Sequence, residues 1–144
     1  MGKKRVIKKG EEKETSEELK RLSVPATRIR SKEGNVYISS SYNNTIVSLT
    51  DLNGNILYQT SSGALGFKGN KKATPFAASK VGNAVSAAAK KIGVEKVSVL
   101  IKGIGSGRDS ALRSIAMSGL DLISIKDVTP IAHNGCRPRK VRRV

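Results

Sequence analysis

Between residues 35 and 60, apolar and polar positions alternate with the two-residue period of β-strands. The pattern begins at residues 35–40, and segments 45–50 (TIVSLT) and 56–60 (ILYQT) are rich in β-branched side chains. Asn43-Asn44 can supply a tight turn between the first two segments. Asn53-Gly54 is a strong hairpin signal because both residues tolerate positive φ. The pattern therefore predicts a three-stranded antiparallel meander.

A helical spacing of apolar residues follows this β-rich region. Thr74 suits the N-cap of a helix, Pro75 suits its first position, and Gly93 suits its C-terminal cap. The residues that would form its apolar face are Ala77, Val81, Ala84, Val85, Ala88 and Ile92. Many of them are small, so the helix can lie close to a sheet.

A second, shorter helix is predicted from Gly107 to about Ser118, with Gly119 ending it. Ser106 and Asp109 have the spacing of a capping box, which favours a helix start at this point. The residues expected to face the core are Ala111, Leu112, Ile115 and Ala116.

Two further segments have the composition of strands. Residues 95–102 (EKVSVLIK) form a nearly continuous apolar run typical of a central strand, and residues 120–128 (LDLISIKDV) predict the last strand. The order of elements is three strands, helix, strand, helix, strand. It predicts a single α/β domain, with a mixed five-stranded sheet, two main helices packed on it and right-handed βαβ crossovers.

The two ends of the chain lack this periodicity. Residues 1–30 alternate Lys/Arg with Glu and predict a flexible charged arm, which leaves residues 31–128 as the core domain. Residues 129–144 predict a basic tail, bent by Pro130 and Pro138. A block of like charge without an acid needs an anionic partner, although a merely solvated tail is the alternative.

The charge of the whole chain strengthens the first interpretation. The net charge is +16 and the pI is near 10.3. Residues 34–144 alone contain 16 Lys/Arg and 5 Asp/Glu, so the folded part is itself basic. Such an excess favours a polyanion: nucleic acid first and an anionic membrane second. No secretory signal or membrane-spanning run is expected, and the single cysteine fits a reducing, cytoplasmic setting.

Two glycine-rich segments are candidate phosphate contacts. Residues 103–108 (GIGSGR) lie between a strand and a helix, where backbone N–H groups and the helix dipole can hold a phosphate. The alternatives are a nucleotide-cofactor site or a tight turn without a ligand. Residues 66–72 (GFKGNKK) place Phe67 among cations; it could stack on a base or pin the loop to the core.

Catalytic chemistry has little support in the sequence. His133 and Cys136 are the only residues of their types and cannot close a four-ligand zinc site alone. The carboxylates outside the arm lack the clustering that two-metal nucleases need. We therefore expect neither an enzyme nor a cofactor. The rivals kept open are a nucleoid-type DNA-binding protein and a nucleotide-dependent enzyme that uses the glycine turn.

Several motifs together resemble the bacterial small-subunit ribosomal protein S-eleven family. They are Asn43-Asn44-Thr45, the segments 66–69 (GFKG), 74–78 (TPFAA) and 102–110 (KGIGSGRDS), and the whole of residues 127–144. The resemblance extends from about residue 33 to residue 144 in order and with compatible spacing. It implies a ribonuclease-H-like fold without catalysis.

The resemblance also implies a function. It places the protein in the cytoplasm, on the platform of the small ribosomal subunit, bound to 16S-type ribosomal RNA beside other platform proteins and near the messenger exit side. It implies a role in subunit assembly and no membrane partner. The residues expected to contact RNA are Asn43, Asn44, Phe67, Lys68, Lys71, Lys72, Gly103, Gly105, Gly107, Arg108, Arg113, His133, Arg137, Arg139, Lys140, Arg142 and Arg143. Members of this family can carry an isoaspartyl residue at the position that matches Asn134.

Overall fold

Five strands form one mixed, open sheet in the computed structural model, which describes residues 32–137, 139 and 140. They are β1 (Glu33–Ser40), β2 (Thr45–Thr50), β3 (Ile56–Ser61), β4 (Lys96–Lys102) and β5 (Asp121–Asp127). Their spatial order is β3-β2-β1-β4-β5. The first three strands are antiparallel, whereas β4 is parallel to β1 and β5 is parallel to β4. The predicted single α/β domain, its meander and the interior position of β4 are confirmed.

Two α-helices, α1 (Pro75–Ile92) and α2 (Arg108–Met117), complete the domain together with a short 3₁₀ helix, Gly69–Ala73. The caps predicted for α1 are confirmed. The Thr74 hydroxyl accepts a hydrogen bond from the Ala77 amide at 3.3 Å, and Pro75 occupies the first turn. Gly93 ends the helix with a φ of +95°. The 3₁₀ helix lies in a segment for which only a loop was predicted.

The core lies between the helices and one face of the sheet. Alternate residues of the inner strands are buried because successive side chains of a strand point to opposite faces. The buried hydrophobic residues of the strands are Val36, Ile38, Val47, Leu49, Val97, Val99 and Ile101. Alanines and valines of α1 pack on them, so the core consists of small aliphatic side chains, as the composition predicts.

Two local predictions for α2 are wrong. Ala111 and Ile115 are buried and Leu112 is half-buried, but Ala116 is exposed. Successive helical residues lie about 100° apart, so a stripe through positions 111 and 115 turns position 116 away. The predicted capping box is also absent: the hydroxyl of Ser106 donates instead to the Ala73 carbonyl at 2.6 Å.

The hairpin between β2 and β3 uses one left-handed residue instead of the two that were expected. Gly54 has a φ of +89°, but Asn53 is not in the left-handed region. The Asp51 carboxylate closes the turn by accepting hydrogen bonds at 3.0 Å from both the backbone and the side-chain nitrogen of Asn55. The side-chain bond to Asn55 lowers the pKa of Asp51.

Candidate nucleic-acid interface

The segments predicted to bind RNA all leave the sheet at the same edge. Strands β1, β3, β4 and β5 run in one direction, because all are parallel to β1 or share its antiparallel relation to β2. The segments that follow these strands are residues 41–44, 62–74, 103–107 and the tail from residue 128. We call this edge the carboxyl edge. The motifs predicted each segment separately, and the common direction of these four strands places all of the segments at one edge of the sheet.

Charge is distributed unequally between the two edges of the sheet. At the carboxyl edge, or on the tail that leaves it, lie Lys68, Lys71, Lys72, Lys102, Arg137, Arg139 and Lys140, with two carboxylates, Asp109 and Asp127. The opposite edge carries the carboxylates Glu33, Asp51, Glu95 and Asp121 together with Lys32, Lys90, Lys91 and Lys96, so its charges nearly cancel. There Lys32 pairs with Glu95 at 3.0 Å. The carboxyl edge is therefore the more attractive surface for a polyanion.

Both helices also begin at the carboxyl edge, since α1 follows the segment after β3 and α2 follows the turn after β4. A helix N-terminus carries about half a positive charge and leaves backbone N–H groups without helical partners. From the sequence, the attraction of a helix N-terminus for phosphate was predicted only for the second helix. Two helix N-termini therefore add to the positive potential of the side chains.

The glycines of the turn at 103–107 are packed against the protein. A Cβ added to Gly105 would lie 2.3 Å from the Ser41 carbonyl oxygen, and one added to Gly107 would lie 2.4 Å from the Thr45 hydroxyl. Both glycines are buried, whereas Ile104 and Ser106 between them are exposed. This geometry supports the interpretation that the glycines permit a tight strand-to-helix connection. An RNA contact at Gly103, Gly105 and Gly107 remains a prediction.

Arg108, predicted to bind phosphate, contacts other groups of the protein. Its guanidinium lies 2.5 Å from the Asp127 carboxylate and donates to the Gly103 carbonyl at 3.0 Å and the Thr129 hydroxyl at 3.4 Å. Its side chain is 28% exposed. The hydrogen bonds from Arg108 and then from Thr129 hold the pKa of Asp127 below its usual range.

The loop of residues 66–72 presents cations on a partly rigid support. Lys68 and Lys71 are exposed, and Lys72 is half-buried. Phe67 is also half-buried, and its ring meets that of Phe76 edge to face, with centroids 6.1 Å apart. Phe67 therefore fixes the loop to another surface aromatic, not to the buried core as one interpretation proposed.

Of the two asparagines predicted to form the turn before β2, Asn44 stabilises the turn through hydrogen bonds of its carbonyl and side chain. The amide of Ser41 donates to the Asn44 carbonyl at 2.9 Å, and the Asn44 side chain accepts from the Thr45 amide at 3.0 Å. Asn43 is exposed at the tip of this predicted turn.

Arg113 is exposed in the middle of α2, about 7.5 Å along the helix axis from its first residue.

From residue 130 onward, the described part of the tail is exposed. His133, Arg137, Arg139 and Lys140 all face solvent. Asn134 has a φ of +55° and is the only residue other than glycine with a positive φ in the described ranges. Arg142 and Arg143, like the arm at residues 1–30, lie outside the described residues.

Asp127 and Thr129 also belong to the site, although neither was predicted from the sequence as a member of it. The signal was present, since an Asp two residues before a Thr at a strand end predicts an Asx turn. The Asp127 carboxylate accepts from the Thr129 amide at 3.0 Å, as such a turn requires.

Two other kinds of site were tested in the described part of the chain. No group of three or more His, Cys, Asp and Glu there could hold a metal ion. None of the described helices combines the length and apolar character needed to cross a bilayer.

Comparison with known proteins identifies the family of the chain. Residues 34–143 match the family model described as ribosomal protein S11. Two relatives, both named small ribosomal subunit protein uS11, come from Treponema pallidum subsp. pallidum and from the Nichols strain of Treponema pallidum. Each is 55% identical over 112 residues, which cover 78% of this chain and 89% of the relative. The chain therefore belongs to the ribosomal protein S11 family.

Proposed function

We propose that this protein is a structural component of the small ribosomal subunit that binds small-subunit ribosomal RNA with its carboxyl edge. The main support is the convergence of four predicted contact segments on one edge, two of which, residues 62–74 and the tail, are basic. Membership in a ribosomal family supports the same function and a structural class, not an enzymatic one.

The exposed cations would supply most of the affinity. Each Lys or Arg that neutralises a phosphate releases a condensed counterion, so binding is strong at low salt and weakens as salt rises. Lys68, Lys71 and the tail residues Arg137, Arg139 and Lys140 are exposed for this role. Asn43, Asn44, Phe67, Lys72, Arg113 and His133 would add polar and stacking contacts to loops of the RNA.

The finer assignments follow from the resemblance to the family. We place the protein in the cytoplasmic ribosome, on the platform of the small subunit, beside other platform proteins and near the path of the messenger. In that position it would support subunit assembly by holding RNA segments together.

A comparison of two lysine pairs tests the proposed surface. Lys68→Gln combined with Lys71→Gln removes two exposed cations from the carboxyl edge. Lys90→Gln combined with Lys91→Gln removes two exposed cations from the opposite end of α1 and serves as the matched control. Affinity for a transcribed small-subunit ribosomal RNA domain would be measured over a series of salt concentrations.

We expect the first pair to weaken binding and to reduce the slope of log K against log salt by about 0.7–0.9 per lost phosphate contact. The control pair should leave the slope close to that of the unaltered protein. Equal effects of the two pairs would argue against the carboxyl edge. Equal affinity for duplex DNA of similar length would argue against ribosomal RNA as the ligand.

A further inference from the structure

We propose that Arg108, Asp127 and Thr129 form a clamp that fixes the direction in which the basic tail leaves the sheet. We call these three residues the tail clamp. Its consequence for RNA binding rests on the proposed function, whereas its effect on the tail does not.

The Thr129 hydroxyl, at the centre of the tail clamp, uses all of its hydrogen-bonding capacity within the protein. The Thr129 hydroxyl donates to Asp127 at 2.6 Å and accepts from the Gly103 amide at 3.1 Å and from Arg108 at 3.4 Å. One donor and two lone pairs are thereby used. The Asp127 carboxylate accepts from Arg108 through one oxygen and from Thr129 through the other.

The tail clamp is anchored to the middle of the sheet through Gly103. Gly103 has a φ of +101°, and a Cβ placed there would lie 2.1 Å from the carbonyl oxygen of Ser40, the last residue of β1. Both backbone groups of Gly103 take part, since its amide donates to Thr129 and its carbonyl accepts from Arg108. Thr129 is thus held by the turn that follows the interior strand β4, not only by the edge strand β5 that precedes it.

Among the described residues of the tail, Thr129 is the last one that is hydrogen-bonded to the core. The amide of Val128 still donates to the Ile101 carbonyl at 2.8 Å, which continues the pairing of the strands. Between described residues, no hydrogen bond or ion pair joins residues 130–137, 139 or 140 to the core. The orientation of Thr129 therefore sets the starting direction of the cations that follow.

This arrangement gives Arg108 a positioning role in place of the direct phosphate contact predicted from the sequence. A guanidinium can donate in several directions at once from one rigid plane, which a lysine ammonium cannot reproduce. A tail that starts in a fixed direction loses less conformational entropy on binding than one that swings freely.

The single cysteine of the chain allows a direct test without RNA. Cys136 is exposed and lies seven residues beyond Thr129, so a nitroxide label attached there reports the motion of the tail. Thr129→Val keeps the shape of the side chain but removes its hydrogen bonds, and Thr129→Ser keeps the hydroxyl. We expect faster label motion in the valine variant and unchanged motion in the serine variant, recorded well below the melting temperature of each.

The same variants are then tested with RNA in two backgrounds, the native tail and a neutral tail in which all five tail cations are replaced: Arg137→Gln, Arg139→Gln, Lys140→Gln, Arg142→Gln and Arg143→Gln. With the native tail, Thr129→Val should weaken RNA binding on the order of twofold to tenfold. With the neutral tail it should have no further effect. Arg108→Lys should behave like Thr129→Val.

The outcomes separate the two proposals. Unchanged label motion in Thr129→Val would overturn the tail clamp whatever the RNA affinities are. If label motion increases but the neutral tail binds RNA as tightly as the native tail, the clamp stands and the RNA-binding role of the tail fails. An equal loss of affinity in both backgrounds would show that Thr129 acts through the core and not through the tail cations, and would overturn the consequence of the clamp for RNA binding.

Discussion

Asp127 should make the carboxyl edge sensitive to acid. Its pKa is lowered by hydrogen bonds from Arg108 and Thr129, so its charged form stabilises the folded state. This contribution is fully present above the unfolded pKa of about 3.9 and is lost as the pH falls through the lower folded value. We expect Asp127→Asn to reduce the loss of stability below about pH 4, measured by urea unfolding.

The matched control for this experiment is Asp121→Asn, at the other end of β5. Asp51, whose pKa is also lowered, contributes to the acid dependence of every variant alike. The role given to Asp127 requires a larger change of slope in Asp127→Asn than in Asp121→Asn. Equal slopes in the two variants would contradict it.

Asn134 should convert to isoaspartate. Conversion needs the following amide nitrogen to attack the asparagine side chain, and Gly135 leaves that nitrogen sterically open. Both residues are exposed, and the amide of Gly135 donates to no other described residue. We expect peptide mapping of aged protein to find isoaspartate at position 134.

Gly135→Ala is the control for this conversion. A Cβ at position 135 would meet only the Cβ of Ala132 at 3.9 Å, so the fold accepts the methyl group while the attack is hindered. Slower conversion in Gly135→Ala is expected. Conversion at the same rate in both proteins would contradict the mechanism.

The glycine turn between β4 and α2 should tolerate substitution poorly. At Gly105 an added Cβ would meet the backbone of Ser41 at 2.3 Å and the Ser40 hydroxyl at 2.4 Å. Forcing a methyl group into a packed site of this kind costs about 1–3 kcal/mol. We expect Gly105→Ala to lower the free energy of unfolding by at least this amount in urea titrations.

Gly63→Ala provides the comparison at the same edge. Its added Cβ would approach no atom closer than 3.6 Å, at the flexible side chain of Lys72, and Gly63 does not have a positive φ. This variant should unfold close to the wild type. A similar loss of stability in both variants would mean that the close packing of Gly105 is not the cause.

Elements were predicted from the sequence where their signals are local. The N-cap of α1 was found because the hydroxyl of Thr74 and its partner amide are three residues apart. The prediction of a capping box was wrong because the Ser106 hydroxyl bonds to the Ala73 carbonyl, 33 residues away, and no local sequence pattern indicates that partner. For the same reason, the carboxylate partner of Arg108, which lies 19 residues on, was not found from the sequence. A phosphate contact of Arg108 stays a prediction.

The arrangement of the segments in the whole molecule could be predicted less fully from the sequence. Composition established an excess of positive charge, and motifs identified the glycine- and lysine-rich segments. Their common edge depends on β4 and β5 running parallel to β1, a relation between strands that are far apart in sequence. The separation of most carboxylates to the opposite edge follows from the same topology.

The net charge of +16 should make the free protein more stable as salt rises. Screening weakens repulsion among the cations, because the Debye length is only about 10 Å at 0.1 M ionic strength. Salt also weakens ion pairs such as Lys32–Glu95 and Arg108–Asp127. Exposed pairs are each worth at most about 1 kcal/mol, so relief of repulsion should dominate.

We therefore expect the melting temperature of the free protein to rise with sodium chloride. The rise should be smaller in a variant that carries Lys68→Gln, Lys71→Gln, Arg137→Gln, Arg139→Gln and Lys140→Gln. It should remain close to that of the wild type in Lys90→Gln, Lys91→Gln, because those lysines lie at the helix C-terminus near the carboxylates of the opposite edge. A melting temperature that falls with salt would mean that repulsion at the carboxyl edge is not the dominant charge effect. The excess charge would then impose no stability cost for an RNA partner to relieve.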